Sequence, residues 1–404
     1  MSSQNVTFKN KNGHLLKGKL ELPSDQEPHN YALFAHCFTC NKNYFAVKNI
    51  CNALTQQGYG VLRFDFTGLG ESEGDFEDSN FSGNVDDLLQ AVEFLRLKYK
   101  EPSLLIGHSL GGAAVLFAAK ELSSVKAVAT IAAPSKANHL VHLLKDDLKE
   151  INDEGSAEVN IGGRPFKIKK QFLEDIEDKQ LKTILPDLDK PLLILHSPQD
   201  AIVEIKNAEE IYLAARHPKS FISLDGADHL LTNTRDSIYA GSMIGNWASR
   251  YIEISEKIEL TTNFEVVAKL GAEGFTTQMQ AGDHGFIADE PVKVGGKNLG
   301  PSPYDYISAG LAACTSMTIQ MYARRKNWII DSVETHINYA KDYSTDCENC
   351  EDISAKIDTF SREIIIKGDL DKAQLDKIIL IADKCPVHKT LTTPTQVITT
   401  VIKE

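Results

Sequence analysis

The run Leu104-Leu105-Ile106-Gly107-His108-Ser109-Leu110-Gly111-Gly112 limits what this chain can fold into more than any other stretch of it. An apolar strand ends at Ser109, and a helix rich in small residues (Ala113, Ala114, Ala118, Ala119) begins at once. A serine hydroxyl is a poor nucleophile unless it is held exposed beside a base. A G-x-S-x-G turn does this: the backbone bends sharply, and Gly107 and Gly111 keep side chains out of the tight strand–helix contact. The context predicts Ser109 as a nucleophile.

Around it, short β-rich runs alternate with helical ones. Strands are predicted at 6–8, 15–22, 31–36, 60–66, 103–107 and 127–132, and helices near 48–57, 85–99 and 111–122. Strands that are nearly unbroken apolar runs imply a parallel sheet covered on both faces, an α/β domain with a doubly wound sheet. From about Ser135 to Asp187 the chain turns highly charged, with a hairpin turning at Gly162-Gly163, before strand–helix alternation resumes at Leu192. A polar insert between two buried strands is where a cap over an active site would sit.

In this kind of sheet the acid and then the histidine follow the serine. Asp200 lies just past the run Leu192–Leu195, and His229 just past the next strand, so Asp200 can orient the His229 ring, which takes the Ser109 proton. His108 and His196 are rival bases, but each abuts a strand end where packing is the commoner role. Asp225 and Asp228 are rival acids, and Asp228 adjoins the histidine too closely to turn back onto its ring. An oxyanion hole needs two N–H donors. Leu110, directly after the nucleophile, supplies one. The segment Ala35-His36-Cys37-Phe38 resembles the His-Gly-x loop of α/β-hydrolases, which assigns the other to Phe38, with Cys37 where that loop usually has glycine. Cys37-Phe38-Thr39-Cys40 also has the spacing of a C-x-x-C redox pair, although a thioredoxin-type site would open a helix in a different βαβ setting. Asp65-Phe66-Thr67-Gly68-Leu69-Gly70-Glu71-Ser72 resembles a further loop of the same superfamily, and its glycines suit a structural turn. The resemblance covers residues 6–248. It implies attack on an acyl carbonyl, an acyl-enzyme, and hydrolysis by water that His229 activates.

Near Ser255–Leu260 the pattern changes, and the boundary is predicted there: a hydrolase domain over 1–254 with its cap at about 135–187, and a second domain over 262–404. The second domain reads as three strands (264–270, 274–280, 285–289), a long helix from Pro303 to Lys326, two extended runs (333–343 and 353–367), a helix over 371–384 and a last strand at Gln396–Ile402. This is an α+β order. Ser302, Pro303 and Asp305 look like a capping box at the helix start. From Ile307 to Ile319 the helix is apolar or small on every face and is expected to be buried. Cys314 lies in it. With the downstream Cys385-Pro386-Val387-His388 turn, these segments resemble the OsmC/Ohr family over nearly the whole domain. That resemblance implies a Cys314 thiolate that attacks an organic hydroperoxide, Cys385 as the thiol that resolves it into a disulfide, and an intertwined homodimer. The chain departs from the peroxidase pattern: Glu256–Ala323 contains no arginine, and position 304 is tyrosine.

Composition narrows the rest. A net charge of −13 argues against nucleic acid. No run reaches the ~18 apolar residues of a membrane span, and the first residues show no positive segment leading into an apolar one, so a cytoplasmic site is expected. Seven cysteines, an odd number, do not read as a disulfide scaffold. Cys347 and Cys350 have zinc-ligand spacing, but a closed zinc site takes four ligands, so neither metal nor cofactor is expected. The leading expectation is a serine carboxylesterase acting on a small acyl ester and joined to an OsmC-like redox or dimerisation domain. The alternatives are a thiol peroxidase, with an organic hydroperoxide and a thiol reductant as partners and an auxiliary hydrolase, and an esterase on a non-catalytic dimer scaffold.

Overall fold

A computed structural model of the chain describes residues 2–137, 144, 147–161, 163–177, 179–254, 260–343 and 356–402. The chain divides into two compact units, Met1–Ala272 with Thr276–Ile287, and Glu273–Phe275 with Ala288–Glu404. Most of the Ser255–Leu260 boundary, Gly162, and Cys347 and Cys350 lie outside the described residues.

The first unit opens with β1 (Ser2–Lys9), β2 (Leu15–Leu22), β3 (Asn30–Ala35), α1 (Phe45–Gln56) and β4 (Tyr59–Phe64). Then come α2 (Phe81–Lys98), β5 (Pro102–His108), α3 (Leu110–Glu121) and β6 (Ala127–Ile131). An insert follows, with α4 (Leu148–Glu154), the hairpin β7 (Ser156–Ile161) and β8 (Arg164–Lys169), and α5 (Lys170–Glu177). After it come β9 (Leu192–His196), α6 (Lys206–Ala214), β10 (Lys219–Ser223) and α7 (Thr234–Ala248). Eight strands form one sheet in the order β1-β2-β4-β3-β5-β6-β9-β10. β2 pairs antiparallel with β1 and β4, and all other pairings are parallel.

Strands β3, β4, β5, β6 and β9 are buried at every residue, which accounts for their unbroken apolar sequence. Val47, Ile50 and Leu54 of α1 and Ala240, Ile244 and Ala248 of α7 pack on Phe34, Ile106, Leu193 and Leu195. Each fully buried Leu or Ile contributes on the order of 2 kcal/mol by leaving water. This core holds the C-terminal ends of β3, β5, β9 and β10 in register, and the loops leaving those ends carry the predicted site.

Past α7, the strands β11 (Val266–Leu270), β12 (Thr277–Ala281) and β13 (His284–Ala288) form a three-stranded sheet. The second unit contains α8 (Pro303–Lys326), the long antiparallel pair β14 (Ile329–Tyr343) and β15 (Lys356–Asp369), α9 (Lys372–Ala382) and α10 (Pro386–Thr392). The Ser302–Asp305 capping box is present. Two expectations are corrected. Within one chain α8 buries only the stripe Leu311, Thr315, Ile319 and Ala323, while Met317 and Met321 are 65% and 72% exposed. Residues 396–402 form no strand, and Val397, Ile398, Val401 and Ile402 stand almost bare; a strand needs a partner edge, and this segment pairs with none among the described residues.

Candidate active site

Ser109 sits between β5 and α3 with φ 55° and ψ −124°, a conformation that a non-glycine residue adopts only when its surroundings hold it there. A Cβ on Gly107 would lie 2.2 Å from the Gly111 carbonyl oxygen, and one on Gly111 would lie 2.5 Å from the carbonyl oxygens of Ala35 and His36. Both glycines are therefore required for α3 to start this close to β3 and β5, and the contact turns the Ser109 side chain out of the sheet.

The Ser109 hydroxyl donates to His229 Nε2 at 3.0 Å, and His229 Nδ1–H donates to Asp200 Oδ2 at 2.8 Å. The carboxylate acceptor fixes this tautomer. All three residues are buried, at 7%, 8% and 5% exposure. The N–H groups of Ile202 and Val203 each donate to Asp200 Oδ1 at 2.9 Å, so the acid is held from both sides. Burial works to raise the Asp200 carboxyl, but the His229 hydrogen bond and these N–H donors outweigh it and hold it below its ordinary value.

The rival residues are occupied elsewhere. His108 Nε2–H donates to the His229 carbonyl at 2.7 Å, and burial, aided by His229, depresses its pKa to about 3, so it is neutral. His196 Nε2–H donates to the Val203 carbonyl at 2.7 Å. Asp225 accepts from Ser223, and Asp228 from Thr232. Phe38 lies beyond β3 and Leu110 opens α3, and the Gly111 contact with Ala35 and His36 brings these two segments together.

Three features near this site were not expected from sequence. Cys37 and Cys40 form a disulfide. Phe172 of α5 packs on the Phe38 ring at 5.1 Å, and Arg164 of β8 donates to the Thr39 carbonyl. Lys42 is buried against Asp65, to which its N–H and its ammonium each donate at 2.6 Å. The C-x-x-C spacing was the only sequence signal for the first, and the Asp65 loop resemblance hinted at the third.

In the second unit, Cys314 of α8 and Cys385 at the start of α10 are free thiols in hydrogen-bonding contact with each other. The pair is asymmetric. Burial and the hydrogen bond to Cys385 push Cys314 up. Burial acts the same way on Cys385, but hydrogen bonds from Cys314, from the Val387 and His388 N–H groups and from Thr315 hold it below an ordinary thiol. Arg362 of β15 donates to Thr315 Oγ1 at 3.1 Å and to the Ala382 carbonyl at 3.2 Å, and pairs with Asp383 at 2.6 Å. A guanidinium thus reaches Thr315, which itself hydrogen-bonds Cys385, from a late strand. Sequence reasoning sought it only among the early ones.

An α/β sheet with a sharp strand–serine–helix elbow defines the class: the first unit is an α/β-hydrolase. Residues 27–151 match the family model described as serine aminopeptidase, S33, and residues 295–400 match that of OsmC-like protein. The chain belongs to the esterase-like α/β-hydrolases and carries an OsmC-like region over residues 295–400. It is 53% identical to the esterase domain of a Rhodothermus marinus protein, covering 62% of this chain and 99% of that one with a TM-score of 0.53. It is 25% identical to the uncharacterized protein YfhR of Salmonella typhimurium, over 60% of this chain and 80% of that protein. It is 30% identical to the mitochondrial palmitoyl-protein thioesterase ABHD10 of Pongo abelii, over 39% of this chain and 52% of that protein. No helix among the described residues is long and apolar enough to cross a membrane.

Proposed function

We propose that the chain is a cytoplasmic serine hydrolase of carboxylic (acyl) esters, with a catalytic domain over 1–254 and an OsmC-like domain over 262–404. The observation that carries this reading is the continuous chain of hydrogen bonds from Ser109 through His229 to Asp200. Ser109 Oγ attacks the acyl carbonyl while His229 takes its proton, and Asp200 stabilises the imidazolium that forms. The N–H groups of Leu110 and Phe38 receive the developing oxyanion. The tetrahedral intermediate expels the alcohol, to which His229 returns the proton. Water, deprotonated by His229, then cleaves the acyl-enzyme. The likeness to an esterase domain and, more distantly, to a thioesterase supports ester or thioester substrates.

A second reading, of the OsmC-like domain as a thiol peroxidase, is favoured by the Cys314–Cys385 contact with Arg362 and Thr315 beside it. There one thiolate takes the distal oxygen of an organic hydroperoxide and releases the alcohol. The other thiol then displaces water to form the disulfide, which a thiol reductant reopens. The same domain is proposed to join two copies of the chain.

Hydrolysis of a chain-length series of acyl esters tests the main reading. Ser109→Ala is expected to lose turnover and labelling by an organophosphate, and full labelling of that variant would move the nucleophile elsewhere.

A further inference from the structure

The loop that carries Phe38 is clipped by the Cys37–Cys40 disulfide, whose Cα atoms are 5.3 Å apart. Both ends of the loop are fixed from outside. Ala35 is paired in the sheet, and the His36 ring donates to the Cys37 carbonyl at 2.8 Å. At the far end Lys42 is tied to Asp65 by its N–H and its ammonium. The remaining freedom is confined to Cys37–Asn41, where the Cys40 N–H donates to the Cys37 carbonyl at 3.2 Å and the disulfide locks the same turn around Phe38. The insert also holds on here, through Phe172 on the Phe38 ring and Arg164 on the Thr39 carbonyl. The clipped loop thus holds the proposed oxyanion donor, and Phe172 and Arg164 tie that loop to the insert.

The two sulfurs differ in access. Cys37 is 5% exposed, whereas Cys40 is only half-buried, so a reductant from solvent meets Cys40 first. We propose that Cys37–Cys40 is a thiol–disulfide exchange site for a dithiol reductant, and that opening it lowers hydrolase turnover by releasing Phe38. The coupling rests on the hydrolase reading given above.

The exchange balances as follows. A thiolate of the dithiol attacks Cys40 Sγ, the Sγ–Sγ bond breaks, and Cys37 leaves as a thiolate that takes up a proton. The second thiol of the reductant attacks the mixed disulfide and releases Cys40, which is also protonated. Two electrons and two protons pass to the cysteine pair, and the dithiol becomes a cyclic disulfide. In the reduced loop Phe38 and Thr39 regain backbone freedom, so its N–H is no longer held ready for the oxyanion. The Leu110 donor, at the start of α3, is untouched.

The test uses the full chain equilibrated across ratios of reduced to oxidised dithiothreitol, quenched with iodoacetamide and mapped by mass spectrometry at the peptide containing Cys37 and Cys40. In parallel, kcat and KM are measured on one acyl ester. Cys51 stays silent in the native protein, because burial pushes its pKa up to about 12. The expected result is paired alkylation of Cys37 and Cys40 in the folded chain. The kcat should fall on the order of tenfold as they open, less than the ~10²–10³ lost when an oxyanion donor is removed outright. KM should stay nearly constant, and oxidised dithiothreitol should restore kcat. Cys37→Ser/Cys40→Ser should keep the turnover of the reduced form in every buffer. The proposal is overturned if the pair resists alkylation until the chain unfolds, if full opening leaves kcat unchanged, or if the double variant still responds to dithiothreitol. A fully oxidised chain that hydrolyses no ester would overturn the hydrolase reading and the coupling with it, while alkylation would still decide the exchange site.

Discussion

His108 holds the variable position of the G-x-S-x-G turn, yet its ring is tied to the backbone of the residue proposed as general base. A neutral imidazole donating to the His229 carbonyl fixes where that backbone runs, and so where Nε2 meets Ser109. On the proposed reading, His108 acts through His229, as a positioning residue. Misplacing a reacting group by about 1 Å can cost ~10²-fold, so His108→Ala is expected to lower kcat by about 10- to 100-fold with KM nearly unchanged. The same residue links stability to pH. Its ordinary pKa of 6.5 drops to about 3 on folding. Between those values the unfolded chain binds the proton and the folded chain does not, so stability rises with pH through this window and is lost as pH falls through it. Burial lowers His36 and His196 in the same direction. Urea unfolding at a series of pH values should show the parent losing stability between about pH 6 and pH 4, and His108→Ala losing less. A variant with parental kcat and parental pH slope would reduce His108 to packing.

At the level of elements, three segments far apart in sequence meet around the thiols. Helix α8 brings Cys314 and Thr315, the turn between α9 and α10 brings Cys385, and β15 brings Arg362. The hydrogen bond between Cys314 and Cys385 brings the two thiols together, the first requirement for joining them in a disulfide. Stoichiometric cumene hydroperoxide is therefore expected to convert Cys314 and Cys385 into one disulfide that dithiothreitol reverses, with the reaction slowed in Arg362→Met. Mass spectrometry beside Cys314→Ser decides it. No Cys314–Cys385 linkage, with peroxide consumed no faster than by the serine variant, would leave this domain a role in assembly alone.

At the scale of the whole molecule, the second unit leaves much apolar surface open. Met317 and Met321 on α8, Ile379 and Leu380 on α9, and Val397, Ile398, Val401 and Ile402 are each more than half exposed. A monomer rarely tolerates this much. The full chain should therefore sediment as a dimer at micromolar concentration, while a fragment cut near Ser255 should be monomeric and still active on small esters. The first unit already closes its own core around α1, α7 and the sheet. A monomeric full-length chain would count against assembly through the OsmC-like domain.

What was legible in the sequence was whatever a short segment encodes alone. The unbroken apolar runs of β3, β5 and β9, the elbow glycines and the Ser302 capping box depend on neighbours within a few residues, and periodicity and backbone sterics suffice to read them. The order of Ser109, Asp200 and His229 could be proposed because a parallel sheet delivers successive loops to one edge. The sequence also pointed to a strand at Gln396–Ile402, which has the residues for pairing but pairs with no strand among the described residues. Other features were decided by tertiary structure alone. His108 reaches the His229 carbonyl, Arg362 reaches Thr315, and Phe172 reaches Phe38 across long stretches of chain. Such contacts join side chains whose local patterns are independent of each other. Their energy is set by distance and burial once the chain has folded, so no window of sequence carries a record of them.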